Sequence, residues 1–244
     1  MGVGEAGEPA EIQYRDASFT LYRLDPKEET LRLYWRDPAG QPFNTFKKLE
    51  AHLAAEGKRL SFATNGGIYL GGWLPEGLHI EGGKTLRPLN LKPAPKVSPV
   101  PNFSLKPNGI FLIRSDATAA VMESNAYATS GESPRLAVQS GPLLLHEGKI
   151  HPAFNEPSTS RLLRNGVGID SAGRLVFACS HRDGDGRGRI NLYGFASLFL
   201  EKLDCQNALY LDGDISEIYL RGHTGEIQNT TAFAAMLGVV EAAE

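Results

Sequence analysis

The 244-residue sequence has only two cysteines, no surplus of positive charge and no long apolar run, and each shortage excludes a class of protein. Two thiols, Cys179 and Cys205, allow at most one intramolecular bridge, so a disulfide-knotted fold is out. Both lie in apolar surroundings (VFACS and LDCQNALYL), where a buried free thiol is common. Lys and Arg number 25 against 28 Asp and Glu, a formal charge of −3 without long same-sign blocks, which argues against a nucleic-acid partner. No stretch approaches the roughly 20 consecutive apolar residues of a membrane-spanning helix. The opening Met1 to Pro9 is rich in Gly and Glu and lacks the positive-then-apolar order of a secretory signal.

Familiar catalytic signatures are missing as well. There is no G-x-S-x-G elbow, no P-loop and no G-x-G-x-x-G. The six histidines form no H-x-x-x-H pair and the cysteines have no zinc spacing, so a zinc hydrolase is not expected. Asp183-Gly184-Asp185-Gly186-Arg187-Gly188 starts like a calcium loop, but Arg187 occupies a ligand position and Gly194 stands where the closing Glu belongs. It reads as a hairpin tip. The sequons Asn102-Phe103-Ser104 and Asn229-Thr230-Thr231 matter only in a glycosylating pathway.

What is present is enough apolar residue, 41%, to build a full core. A chain of this size buries roughly 70–75% of the surface it exposes unfolded. Alternation from Glu11 to Trp35, with a charged turn at Asp25-Pro26-Lys27-Glu28, reads as an opening hairpin. Asn44 then caps a helix with Phe46, Leu49 and Leu53 on one face, ending near Gly57. Strand RLSFAT runs into Asn65-Gly66-Gly67, and the Gly- and Pro-rich stretch from Gly71 to Pro107 reads as a long surface excursion. GIFLIR, RLAVQS, PLLLHEGKI and GRLVFACS are short strands, Phe195 to Leu203 is a helix, NALYL a strand, and Thr231 to Val240 a final helix. The order helix, strand, Asn65-Gly66-Gly67 is echoed by helix, strand, Asp212-Gly213-Asp214, as two related helix-strand units would give.

Four segments place polar groups at strand ends. In Thr64-Asn65-Gly66-Gly67 paired glycines bring backbone N–H groups near a ligand and Asn65 offers a donor and an acceptor, although a plain turn explains the same residues. Gln139-Ser140-Gly141-Pro142 sets an amide and a hydroxyl beside a permissive glycine, and a simple bulge is its bland reading. Ser160 to Gly168 carries Arg161 and Arg164 ahead of a strand; guanidinium forks match phosphate oxygens, but surface ion pairs use the same residues. Leu209-Tyr210-Leu211-Asp212 delivers a carboxylate at a strand end, suited to acid/base work if partly buried and otherwise to turn capping.

Taken in order, ATNGGIYL, GLHIEGGK, NFSLKPNGIFLI, AVQSGPLLLHEGKI, SRLLRNGVGID, NLYGFASLF and NALYLDGDIS resemble the phosphodiester glycosidase family, over about Ser61 to Leu220 and closest to its short bacterial members. The resemblance implies an α+β fold with a twisted mixed sheet and a few helices, as one domain over 11–244 behind a flexible segment 1–10. It implies hydrolysis of the bond between a sugar and a phosphate or phosphodiester, with Asp212 as base or nucleophile and Glu76, Asp214 or Glu217 as a second carboxylate. Arg164, with Arg161 nearby and backbone N–H groups near Gly66 and Gly141, would hold the anionic leaving group. Asn65, Gln139 and Ser216, with Gly67, Ser140 and Gly213, would hold sugar hydroxyls or orient water. Asp214 departs from the family's Asp-Gly-Gly-x-Ser pattern and adds a carboxylate. No cofactor is expected, although a divalent cation stays open as an alternative. A sugar-phosphate small molecule or glycan is the implied partner, and the resemblance favours a periplasmic or extracellular setting. Two alternatives remain: a non-catalytic glycan-binding domain of the cell envelope, and a metal-dependent phosphodiesterase using Asp212, Asp214 and Asp183.

Overall fold

The computed structural model describes residues 7–181, 188–227 and 231–243. The calcium-like loop Asp183 to Arg187 and the Asn229 sequon lie outside the described residues. The chain opens with β1 (Pro9–Tyr14), β2 (Ala17–Leu24), β3 (Leu31–Tyr34), helix α1 (Phe46–Ala54) and β4 (Lys58–Asn65). Two short pairs follow, β5 (Tyr69–Leu70) with β6 (Leu74–Pro75), and β7 (His79–Glu81) with β8 (Lys84–Arg87). After a 3-10 turn at Asn102–Ser104 come β9 (Gly109–Ile113), β10 (Ala119–Glu123), helix α2 (Ser124–Thr129), β11 (Leu136–Ser140), β12 (Leu143–His146) and β13 (Lys149–Ile150). The last part holds β14 (Asn165–Asp170), β15 (Leu175–Ser180), helix α3 (Leu192–Glu201), β16 (Cys205–Asp212), β17 (Ile218–Leu220) and β18 (Met236–Ala242).

The fold is α+β. Its strands make a seven-stranded sheet in the order β1-β2-β15-β14-β16-β12-β13, a five-stranded sheet β10-β9-β11-β7-β8, a four-stranded sheet β17-β4-β18-β3, and the small β5-β6 pair. Every pairing is antiparallel. The three large sheets close on one core: Tyr22, Phe177 and Leu209 come from the first, Phe111, Ile113 and Val138 from the second, and Leu33, Phe62 and Leu237 from the third. Fully buried aromatic and aliphatic side chains of this kind stabilise by about 1.5–3 kcal/mol each. Helix α3 covers the other face of the seven-stranded sheet through Phe195 and Phe199, and α1 covers the four-stranded sheet through Phe46, Leu49 and Leu53. The alternating glycines of β14 make room for α3. A Cβ on Gly168 would stand 2.8 Å from the Phe199 ring and 2.7 Å from Cys205 Sγ.

Several expectations are corrected. The opening hairpin is β1-β2 across Arg15 and Asp16, not across Asp25 to Glu28. The latter turn, closed on Asp25, carries the chain to β3, which pairs with β18 in another sheet because its apolar face reaches the shared core from a different side. Helix α1 is capped by Thr45, whose hydroxyl accepts from Lys48 N at 3.2 Å; Asn44 turns to φ +62 and its carbonyl accepts from Phe233 N. The excursion from Gly71 contains β6, β7 and β8 before it becomes irregular, because β7 completes the ladder of β11. The tail is strand β18, not a helix. It is laid between β4 and β3, where both ladders need a partner, and this outweighs the helix propensity of its alanines. Cys179 and Cys205 are both buried and are not joined in a disulfide.

Candidate active site

The ends of three strands from two sheets meet at Asn165. It opens β14, pairs in register with Asp212 at the end of β16, and its Nδ2 lies within 3.1 Å of Thr64 Oγ1, Asn65 O and Asn65 Oδ1 at the end of β4. Ser216 Oγ lies 3.3 Å from Asn165 Oδ1 and 3.1 Å from the Asp212 carbonyl, and Glu217 N donates to Asn65 Oδ1 at 3.1 Å. One amide therefore joins the four-stranded sheet to the seven-stranded one. Asn65 is 1% exposed, and its Nδ2 has no partner among the described residues. Its Oδ1 is fixed by two donors, Asn165 Nδ2 and Glu217 N, so the amide is held in place with its Nδ2 buried.

Asp212 is the most perturbed carboxyl of the site. Burial pushes it up to about 7, and the Gly213 N–H, donating to Oδ1 at 2.7 Å, acts in the opposite direction. Tyr69 feels this charge: its phenol is raised by burial first and by Asp212 second. Ser140 fixes that proximity, since its hydroxyl accepts from Ile68 N at 3.3 Å and donates to Leu211 O at 3.0 Å, tying the residues just before Tyr69 and Asp212 together. Gly67, at φ +100, permits the approach; a Cβ there would lie 2.9 Å from Val138 Cγ2. The β5-β6 pair then turns back, setting Trp73 against Tyr69 in a tilted contact with ring centroids 5.4 Å apart, and leads to Glu76. Burial raises Glu76 while the Lys106 ammonium pulls it down, and burial lowers Lys106 in turn. Asp212 and Glu76 are thus two carboxyls displaced toward protonation, and a half-buried ammonium lies near Glu76.

Other expected residues are held elsewhere or are already committed. Gln139 is 1% exposed; its Oε1 accepts from Leu78 N and Asn90 N, and its Nε2 donates to Asn90 O and Ser124 Oγ. It clamps the chain around Glu76, whose carbonyl accepts from Asn90 Nδ2, and has no amide capacity left for a sugar. Arg164 is 2% exposed and donates to Ile190 O, Ser160 O and Tyr210 Oη, lying over the Tyr210 ring, so it braces β16 from beneath. Arg161 pairs with Asp16 and donates to Arg189 O. Asp214 accepts from Leu163 N and pairs with Arg189, tying its turn to those two segments. The Gly66 N–H goes to Ala235 O, and Gly141 packs on Asn108, where a Cβ would come within 2.5 Å. The Glu217 carboxylate meets the Thr231 hydroxyl and, with Ser216, borders a neighbouring cavity of about 510 Å³ that also holds Glu11 and His223.

Sequence reasoning missed Asn165, Lys106, Tyr69 and Trp73, although each except Trp73 sits inside a quoted motif. An Asn-Gly opening a strand and a lone Lys before Pro were the available signals. Among the described residues no group of three or more His, Cys, Asp or Glu side chains could hold a metal ion.

The chain is similar to known proteins over most of its length. The phosphodiester glycosidase family model matches residues 58–240. The uncharacterized protein YigE of Escherichia coli K12 is 36% identical over 201 residues, covering 82% of this chain and 74% of YigE. Among solved structures, the catalytic domain of zebrafish N-acetylglucosamine-1-phosphodiester alpha-N-acetylglucosaminidase, auto-inhibited by its pro-peptide, superposes with a TM-score of 0.64 at 19% identity, over 95% of this chain and 81% of that one. A hypothetical protein from Synechocystis gives 0.56 at 14% identity, over 95% and 61%, and a putative exported protein from Burkholderia pseudomallei K96243 gives 0.54 at 11%, over 91% and 74%. On the family match across most of its length, the chain belongs to the phosphodiester glycosidase family.

Proposed function

We propose that the protein is a hydrolase that cleaves the glycosidic bond between a sugar and a phosphate, in a sugar-1-phosphodiester. The observation that carries this reading is Asp212, held at a strand end with its carboxyl raised to about 7 by burial, within a chain of phosphodiester glycosidase type. A group of that pKa is divided between acid and base near neutrality. Asp212 serves as base or nucleophile at the anomeric carbon. Glu76 is the second carboxyl, and Lys106, in place of the buried Arg164, meets the phosphate. A phosphate departs as a weak base, so fixing its developing charge matters more than protonating it. Asn65, tied to Asn165, frames the site at the end of β4, and Asn165, Ser140, Ser216 and Arg164 position the surrounding strand ends.

The substrate is a small molecule or glycan carrying a sugar phosphate. A setting outside the cytoplasm is part of the proposal. The test is free-sugar release from α- and β-linked sugar-1-phosphodiesters and nucleotide sugars by wild type and by Asp212→Asn. Release by wild type that falls roughly 100-fold or more in the variant supports the assignment. Heavy-oxygen water should label the sugar; label in the phosphate would move the reading to a phosphodiesterase. Binding without any release would move it to a glycan-binding domain.

A further inference from the structure

The β5-β6 pair is only two residues long on each side, and its tip is Gly71-Gly72, yet it holds two large, partly exposed aromatic rings beside a polar site. Trp73 sits at φ +59, a left-handed conformation that bulky residues rarely adopt. Its carbonyl is pinned by Trp35 Nε1 at 2.8 Å, and its ring lies against Tyr69 with an interplanar angle of 31°. The Tyr69 hydroxyl is anchored on Ala232 O at 3.3 Å. Neither ring belongs to a core cluster, so core packing does not account for the backbone cost of turning Trp73 this way. The root of the pair is tied by Ser140 to Leu211, next to Asp212.

A pyranose ring has an apolar face of C–H groups and an edge of hydroxyls, and it lies well on an aromatic face with polar partners at its rim. The Asp212 carboxyl, close enough for its charge to raise the Tyr69 phenol, is such a partner. We infer that Tyr69 and Trp73 form the stacking subsite for the sugar ring, with the anomeric carbon turned toward Asp212. The direction of the anomeric carbon rests on the glycosidase reading; the stacking itself does not.

The test uses the full chain carrying Asp212→Asn, titrated by calorimetry with α-D-glucose 1-phosphate, N-acetyl-α-D-glucosamine 1-phosphate and, as a sugar-free control, methyl phosphate. At least one sugar phosphate should bind about tenfold or more tightly than methyl phosphate. Adding Trp73→Leu should weaken that binding about tenfold, while Trp73→Tyr, which restores a ring and guards against a folding artefact, should stay within about threefold. Equal binding of sugar phosphates and methyl phosphate, no saturable binding of either sugar phosphate, or a folded Trp73→Leu that binds as its parent does would each overturn the subsite. Sugar release by the otherwise wild-type enzyme is read separately. Turnover with KM unmoved by Trp73→Leu removes the subsite and leaves the glycosidase, whereas ring-dependent binding without turnover removes the glycosidase and leaves the subsite.

Discussion

The substitution Asp212→Asn should make the protein more stable and inactive together, by amounts that depend on pH. It keeps the shape of the side chain and an oxygen able to accept from Gly213 N–H, now 2.7 Å away, but removes the charge. Moving a carboxyl from 3.8 to about 7 corresponds to about 4 kcal/mol of preference for the protonated form. Between about pH 4 and pH 7 the folded protein holds a proton that the unfolded chain has released, so the Asp212 contribution to stability falls through that window and is lowest above it. The neutral amide of the variant would carry no such cost. The gap between variant and wild type should therefore be small at pH 4 and open to a ceiling of about 4 kcal/mol above pH 7. For a chain of this size that is about 8–16 °C in Tm at most, and less as solvent reaches the partly exposed side chain. Urea unfolding of both proteins at matched pH values between about 4 and 8.5 reads the gap directly, since the other titrating groups cancel in the difference. A gap that does not change with pH, or a variant less stable than wild type at pH 8, refutes the placement of Asp212 in a desolvated site.

Other consequences follow from individual contacts. Asn165→Leu removes the donor shared by Thr64, Asn65 O and Asn65 Oδ1, and should cost about 2–4 kcal/mol in urea unfolding while cutting sugar release; a loss below about 1 kcal/mol would show that the sheets are not joined there. Gly168→Ala brings a Cβ within 2.7 Å of Cys205 Sγ and 2.8 Å of Phe199 and should cost about 1–3 kcal/mol, lowering Tm; an unchanged Tm would mean that α3 can back away freely. Burial holds the Cys205 thiol up at about 12 and Cys179 is likewise buried, so neither should react with an aromatic disulfide reagent until the protein is unfolded. Rapid labelling of the native protein would contradict that burial.

Local signals in the sequence determined a good deal of this protein. The alternating stretch that holds β2, the short apolar runs of β9, β11 and β15 between turn signals, and the apolar spacing of α1 and α3 were legible from local pattern, and Asp212 at the end of an apolar strand was legible as a carboxylate on offer. The ordered strand-end motifs carried the family. Tertiary structure decided what each polar group does. Arg164 and Gln139 look like ligand-binding residues in one dimension, but the first is buried and donates to three protein acceptors, and four backbone or hydroxyl partners exhaust the second. The tail became strand β18 because two ladders from distant parts of the chain left a gap for it, a demand no local window contains. The pKa of Asp212 and the buried, unpartnered amide of Asn65 likewise arise from desolvation and from contacts between residues far apart in sequence, which only the closing of three sheets on one core can bring together.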